Sequence, residues 1–508
     1  MRFNDIRLEK ISESNFGSFY KGLTHNFYDL KENKFSDKEN KFTIFLNDLI
    51  LRQSSFSNSS EFNLPKNFLI EFRENIISII DLNGLLEKIP SNAIFISLLE
   101  NLIHLIKNFD FIEDKLLFAE NVLHNSIGLK QLSFFSLEKD FEELMINNFD
   151  EVFVFHKKFG VCKINLILNQ KSFSNIIQRI ANSVGRDFDK YNPLLDAHLP
   201  DGSRVNATFN TISPKGISLT IRKFSFTPIT IVDMIKNNTL SVESAAFLWL
   251  MVDGMGLYPK NILVVGGTAS GKTSLLSVLS NFARLSERII SIEDTLELNF
   301  LNRENWVALE AKHVKGEEIS MDDLLKNALR MRPDRIVVGE VRGGEALTLF
   351  TAMDNGHAGS MGTIHANSAR ETIDKLSQKP FLIPKSHLGL IDLIVVMKKT
   401  YSVSGGVKRV VSQIAEVSKM DATILLANVF ELKDFVLEKV NLPSHLIEEL
   451  AGQCSMEKNE LKKELETRQI VLTWLVENDI IKAQEVLEVI QSYYFDPKKV
   501  LATILEQN

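Results

Sequence analysis

The residues Gly266-Gly267-Thr268-Ala269-Ser270-Gly271-Lys272-Thr273 have the spacing G-x-x-x-x-G-K-[ST], which suits a chain of phosphates. Glycines let the backbone curl so that successive N–H groups face phosphate oxygens, and a following helix adds the positive end of its dipole. Lys272 is placed to reach the β- and γ-phosphates, Thr273 to put its hydroxyl on Mg²⁺, and Ser274 completes the binding stretch. A chance glycine-rich turn is the competing reading, and the flanks weigh against it. The apolar run Ile262-Leu263-Val264-Val265 precedes the loop, and Ser274 to Leu279 repeats its leucines at helical spacing after it. Strand, loop and helix together imply a nucleoside triphosphate, ATP with Mg²⁺.

Other residues could work on that triphosphate. Ile289 to Glu297 reads as a strand that delivers Glu293 and Glu297 at its C-terminal end, and either carboxylate could orient an attacking water. Asp334 to Val338 is a strand of the Walker B kind, but Gly339 stands where an aspartate is usual and Glu340 follows. Glu340 is therefore expected to bind the magnesium shell or a water. His365 ends the apolar stretch Gly362-Thr363-Ile364 and could contact the γ-phosphate. Arg204, Arg222 and Arg342 are each candidates for the arginine that phosphoryl transfer recruits from a neighbouring element or subunit. Taken singly, a solvated surface charge is the plainer reading of each arginine, and a structural role the plainer reading of the histidine.

These residues require an open α/β sheet, because ligands in such sheets sit at the carboxyl ends of the strands. From 241 to 420 strands and helices alternate, which predicts a three-layered P-loop domain. Upstream, 146–228 reads as a small α+β domain, with a hairpin at Val152 to Leu168, a helix at Phe173 to Val184, and strands at Ser203 to Phe209 and Ile217 to Phe224. Residues 229–240 read as a linker. Residues 1–145 read as helical, punctuated at Ser57-Asn58-Ser59-Ser60, and 421–508 as helical again.

Composition narrows the function classes. With 508 residues the chain has room for two to four domains, and a net charge of −7 provides no global basic field for nucleic acid. Cys162 and Cys454 are too few for a disulfide framework and too far apart in sequence to suggest a metal site, which fits a reducing cytoplasm. No run approaches the eighteen uncharged apolar residues of a membrane span, and MRFNDIRLEK has no apolar signal core.

The motif order GGTASGKTS, IEDTLEL, RPDRIVVGEVRG and MGTIHANSARETI resembles the secretion ATPase superfamily across about 150 to 420. Members drive type II and type IV secretion, type IV pilus dynamics and archaellum assembly. The tail QIVLTWLVENDI followed by SYYFDP resembles the archaeal branch, and with two isolated cysteines the chain lacks the paired CxxC zinc module of bacterial type II members. The resemblance implies a RecA-like ATPase core that forms a homohexamer at the cytoplasmic membrane face. It would work with a polytopic platform protein and, indirectly, with pilin-like substrates. It makes Glu297 the catalytic base, Glu340 the atypical Walker B glutamate and His365 the His-box residue, with Arg204 and Arg222 reaching a neighbour's nucleotide. Residues 1–145 are then the expected docking region. The alternatives are a nucleic-acid-transporting ATPase of the conjugation type and a nucleotide-gated scaffold that hydrolyses little.

Overall fold

The computed structural model describes residues 9–507 apart from 14–16, 22–25, 31–34, 52–61, 63, 66, 87, 133, 136–137, 139, 224–227, 315–316, 402–406, 421–422, 434–435 and 442. The expectations at Ser57 to Ser60 and at Phe224 lie outside the described residues. Two compact units divide the chain, Met1–Ser225 and Phe226–Asn508.

The first unit contains strands β1 (Glu9–Glu13), β2 (Gly17–Lys21), β3 (Asn26–Leu30), β4 (Phe141–Asn148), β5 (Glu151–His156), β6 (Gly160–Ile164), β7 (Leu194–His198), β8 (Arg204–Thr208) and β9 (Ser218–Arg222). They form one sheet in the order β1-β2-β3-β6-β5-β4-β9-β8-β7, antiparallel except where β3 lies parallel to β6. Alternation shapes it: in β5 Val152, Val154 and His156 point inward, and in β8 Val205 and Ala207 do. The helix Gln170–Ser183, N-capped by Asn169, buries Phe173, Ile176, Ile177 and Ile180 in the same core. A second core joins the helices Asp37–Leu51, Asn92–Ile106 and Lys115–Ser126, where Phe42 packs among Phe45, Phe62, Phe109 and Phe118.

Arg179 ties the two cores together. Its buried guanidinium donates to the carbonyls of Leu85, Lys88, Ile127 and Gly128, and the Ile89 N–H donates to Ser183 Oγ at 2.8 Å. The expectation of a wholly helical 1–145 is corrected here. Strands β1 to β3 extend the small-domain sheet, and β4 crosses the boundary drawn at 145.

The second unit contains β10 (Ile262–Gly266), β11 (Ile289–Glu293), β12 (Trp306–Glu310), a separate hairpin of β13 (Lys312–Val314) and β14 (Glu317–Ile319), then β15 (Arg335–Val338), β16 (Met361–Ile364), β17 (Leu393–Tyr401), β18 (Val407–Met420), β19 (Thr423–Lys433) and β20 (Val436–Lys439). Its sheet runs β12-β11-β15-β16-β10-β17-β18-β19-β20. The six strands from β12 to β17 in that order are parallel, and β18, β19 and β20 follow antiparallel. β10, β11, β15 and β16 are buried at every residue, as a sheet covered on both faces requires. Ile262 and Val264 pack on one face with the helices Val242–Asp253 and Lys272–Ser280. Leu263 and Val265 pack on the other with Met321–Ala328, Glu345–Asp354 and Ala369–Leu376. This is a RecA-like α/β core, as the sequence predicts.

Two boundaries differ from the expectation. Residues 229–240 are not a bare linker: Thr230 and Asp233 form a capping box on the helix Ile231–Lys236, which buries Ile231, Val232, Met234 and Ile235. The region after 421 is not wholly helical, because β19 and β20 extend the sheet before the helices His445–Gln453, Lys458–Glu477, Ala483–Phe495 and Pro497–Gln507. These helices close over the sheet's first helix. Arg468, fully buried, bonds Asp253 Oδ2 at 2.8 Å and lies 5.0 Å from the Trp249 ring centroid, while Trp249 Nε1 donates to Tyr494 Oη at 2.5 Å. Among the described residues no helix is long and apolar enough to cross a membrane.

Candidate nucleotide site

The order β11-β15-β16-β10 places four strand ends side by side, and each carries a predicted residue just beyond it. After β10 the backbone turns through left-handed positions at Ala269 (φ 58°) and Gly271 (φ 92°). A Cβ on Gly266 would lie 2.5 Å from both the Met397 carbonyl oxygen and Ser270 Oγ, so the close strand-to-loop approach demands glycine. Ser270 Oγ donates to the Gly267 carbonyl at 2.8 Å. Lys272 opens the helix Lys272–Ser280; it is 7% exposed, and its Nζ donates to the Gly267 carbonyl at 3.1 Å. Burial pulls its pKa below the usual lysine value, opposed by the Glu340 and Glu297 carboxylates.

A chain of polar contacts leaves that ammonium. Lys272 Nζ lies 3.5 Å from His365 Nδ1, and His365 Nε2 lies 2.7 Å from Glu340 Oε1. Burial and then Lys272 lower the His365 pKa, which favours a neutral ring with Nδ1 facing the ammonium and the proton on Nε2. Nε2 and Oε1 are at ion-pair distance, and Glu340 Oε1 has no hydrogen-bond partner among the described residues. Glu340 Oε2 accepts from Arg342 Nη2 at 2.6 Å, and Arg342 Nη1 reaches Asp294 Oδ2 at 3.2 Å.

The two glutamates after β11 have different surroundings. Glu293 is 2% exposed, and its Oε1 accepts from the backbone N–H groups of Glu297 (2.9 Å) and Leu298 (3.0 Å). Burial pushes its carboxyl up to about 7, against those two donors. Glu297 is exposed at the tip of the same loop. The choice left open between them is thus one of environment: Glu293 faces its own backbone, and Glu297 faces solvent beside Lys272's field.

The structure brings together Lys272, Thr273, Glu297, Glu340, His365 and Arg342 in the second unit. Arg204 and Arg222 belong to the first, where they are direct cross-strand partners on β8 and β9, both exposed. Arg204 pairs with Asp196 at 3.6 Å, and Glu143 stands opposite Arg222 on β4. Sequence reasoning missed two residues. Asp294 lies inside a quoted motif, yet its partner is visible only in three dimensions. Arg409 donates from Nε to the Ala269 carbonyl at 3.1 Å and lies in a strand that carries no motif at all.

Residues 132–403 match the family described as Type II/IV secretion system protein. The chain belongs to that family. An uncharacterized protein of Methanocaldococcus jannaschii is 52% identical over 225 residues, covering 43% of this chain and 31% of that protein. The chain therefore spans about a third of that relative's length. The probable conjugal transfer protein TrbB of Sinorhizobium fredii is 31% identical over 267 residues, covering 51% of this chain and 79% of its own. Among solved structures, the ATPase DotB of Legionella pneumophila aligns over 72% of this chain and 94% of its own, at 18% identity and a TM-score of 0.43.

The residues present suit a magnesium nucleotide. The left-handed turns at Ala269 and Gly271 are those of a loop that turns N–H groups toward an anion, and Glu340 Oε1 accepts no hydrogen bond among the described residues.

Proposed function

We propose that this chain is an ATP-hydrolysing motor that, as a homohexamer at the cytoplasmic membrane face, powers assembly of a type IV pilus-like filament, an archaellum or type II-like secretion. The observation that carries the reading is the convergence on one sheet edge of the phosphate loop, the exposed Glu297 and the Lys272–His365–Glu340 chain. ATP supplies a phosphoanhydride bond, and Mg²⁺ neutralises charge as that bond breaks. In this reading, Lys272 exchanges the Gly267 carbonyl for phosphate oxygens, and Thr273 and Glu340 hold the metal shell. Glu297 orients water and takes its proton. His365, neutral and between Lys272 and Glu340, couples the phosphate end to Glu340. Arg204 and Arg222 stand side by side on an exposed face with Asp196 and Glu143 as carboxylate neighbours, and a further anionic partner could engage both cations at once. In the ring that partner is a neighbouring subunit's nucleotide. The platform partner is a polytopic membrane protein, and pilin-like substrates are moved indirectly.

The test is ATP turnover by purified protein. Glu297→Gln should keep nucleotide binding and lose hydrolysis, and a wild-type rate would remove Glu297 as the base. A relative named for conjugal transfer supports the second reading, a nucleic-acid-transporting ATPase. Stimulation of turnover by single-stranded DNA would favour it, and stimulation only by lipid or the platform protein would favour the first. Nucleotide-dependent assembly with negligible turnover would leave the gated scaffold.

A further inference from the structure

Gly339 stands where a Walker B strand usually carries aspartate, and the structure supplies a physical reason. β11 lies parallel beside β15, with Ile292 opposite Val338, and the Gly339 N–H donates to the Ile292 carbonyl at 2.9 Å. A Cβ built on Gly339 would lie 2.7 Å from Glu293 Cγ and 3.0 Å from Glu293 Oε1. Real Cβ atoms do not approach so closely, so the side chain of Glu293 fills the space that any residue other than glycine at 339 would need. From that seat Glu293 Oε1 takes both the Glu297 and Leu298 N–H groups, and Glu310 Oε1 takes the Leu296 N–H at 3.3 Å. Three successive N–H groups of the Glu297 loop are thereby held from the sheet side. Glu293 Oε2, fully buried, has no hydrogen-bond partner among the described residues.

We propose that Glu293 is the positioning residue for Glu297: its carboxyl, seated in the space vacated by Gly339, fixes the loop so that the Glu297 side chain projects from the strand edge. The inference rests on Glu297 being the base. It separates the two carboxylates by role, one facing the reacting water and the other holding the first in place. It also makes Gly339 and Glu293 one unit, so that a change at either disturbs the same loop. The carboxyl acts here as an acceptor of backbone N–H groups, a task that an amide oxygen also performs. A group acting on water or on a metal ion needs the charge instead.

The experiment measures kcat, KM for ATP and thermal midpoint for Glu293→Ala, Glu293→Gln and Gly339→Ala, with Glu297→Gln as reference. Misplacing a catalytic group by about 1 Å costs on the order of 100-fold in rate. Glu293→Ala and Gly339→Ala should therefore lower kcat by roughly 100-fold, with KM within about threefold of wild type. Glu293→Gln should recover most of the rate. If Glu293→Ala does not fold, Gly339→Ala and Glu293→Gln decide. Wild-type kcat in Glu293→Ala or Gly339→Ala overturns the proposal while leaving Glu297 as the base. A folded Glu293→Gln as inactive as Glu297→Gln overturns it too, because charge rather than an acceptor is then required. Turnover retained in Glu297→Gln overturns the reading beneath it, whatever Glu293 shows.

Discussion

The two nine-stranded sheets of this protein place their candidate residues in opposite ways. In the second unit β10, β11, β15 and β16 are buried on both faces, so no side chain within them is available to a ligand, and the polar chemistry is pushed to the ends of the strands. In the first unit the strands alternate, and the candidate residues Arg204 and Arg222 lie on the exposed face, opposite each other where β8 begins and β9 ends. A covered parallel sheet presents a site at its edge, while a half-solvated antiparallel sheet can present one across a face. The loops of the first kind can close around a phosphate chain. The face of the second kind can meet a separate surface without any change in its own fold.

That contrast can be broken by mutation. The largest effect is expected at the edge: Lys272→Ala should reduce turnover by roughly 100- to 1000-fold, since it removes the main mobile cation facing the transferring group. Residual turnover near wild type would show that the edge is not the site. Next comes the face. Arg204→Ala or Arg222→Ala should leave the thermal midpoint within a few degrees yet cut turnover by about tenfold or more, and activity should partly return when either variant is mixed with Lys272→Ala. A failure to recover in rings shown to exchange subunits would place the arginine's effect inside its own chain.

Arg179 sharpens the comparison from the structural side. Arg179→Ala strands the carbonyls that the buried guanidinium serves and should cost roughly 3 kcal/mol of first-unit stability. A second unit melting at its wild-type temperature in the same variant would confirm that the loss is confined to one unit. An unchanged first transition would mean that the two cores of that unit do not depend on this tie.

The smallest effect concerns pH. The Glu293 carboxyl is raised from its ordinary value of 4.5 to about 7, so its contribution to stability is fully present below 4.5 and is lost as pH rises through 7. The thermal midpoint of wild type relative to Glu293→Gln, which does not titrate, should therefore be higher at pH 5 than at pH 8, by a few degrees at most. A flat difference across that range would show that this carboxyl does not change protonation there.

Much of the edge site was legible in the sequence because its motifs are local: the phosphate loop, the carboxylates after β11 and β15, and His365 after β16 each follow an apolar run. What separates Glu293 from Glu297 was not legible, because burial beneath Gly339 depends on a neighbouring strand nearly fifty residues away in the chain. The errors of fold have similar causes. Glu9–Glu13, Gly17–Lys21 and Asn26–Leu30 are only five residues each, and their pairing with one another and of β3 with β6 reveals them as sheet. The helix Ile231–Lys236 did carry a signal, the capping pattern Thr230 to Asp233, which Pro228 and Asn237-Asn238 overshadowed. β19, TILLANVFELK, does not alternate apolar and polar residues, and the helices beyond it dominated that reading.

The latch between Arg468, Asp253 and Trp249 bears on how the chain matures. During synthesis the strands of the second sheet are made before residues 458–495 exist, so Trp249 and the Asp253 carboxylate wait without the cover those helices give them. Domains generally fold as units as they emerge. Here the second unit cannot finish its own interior until the helices of residues 458–495 are made, so a chain stopped before them would expose an aromatic, charged wound in place of a closed core.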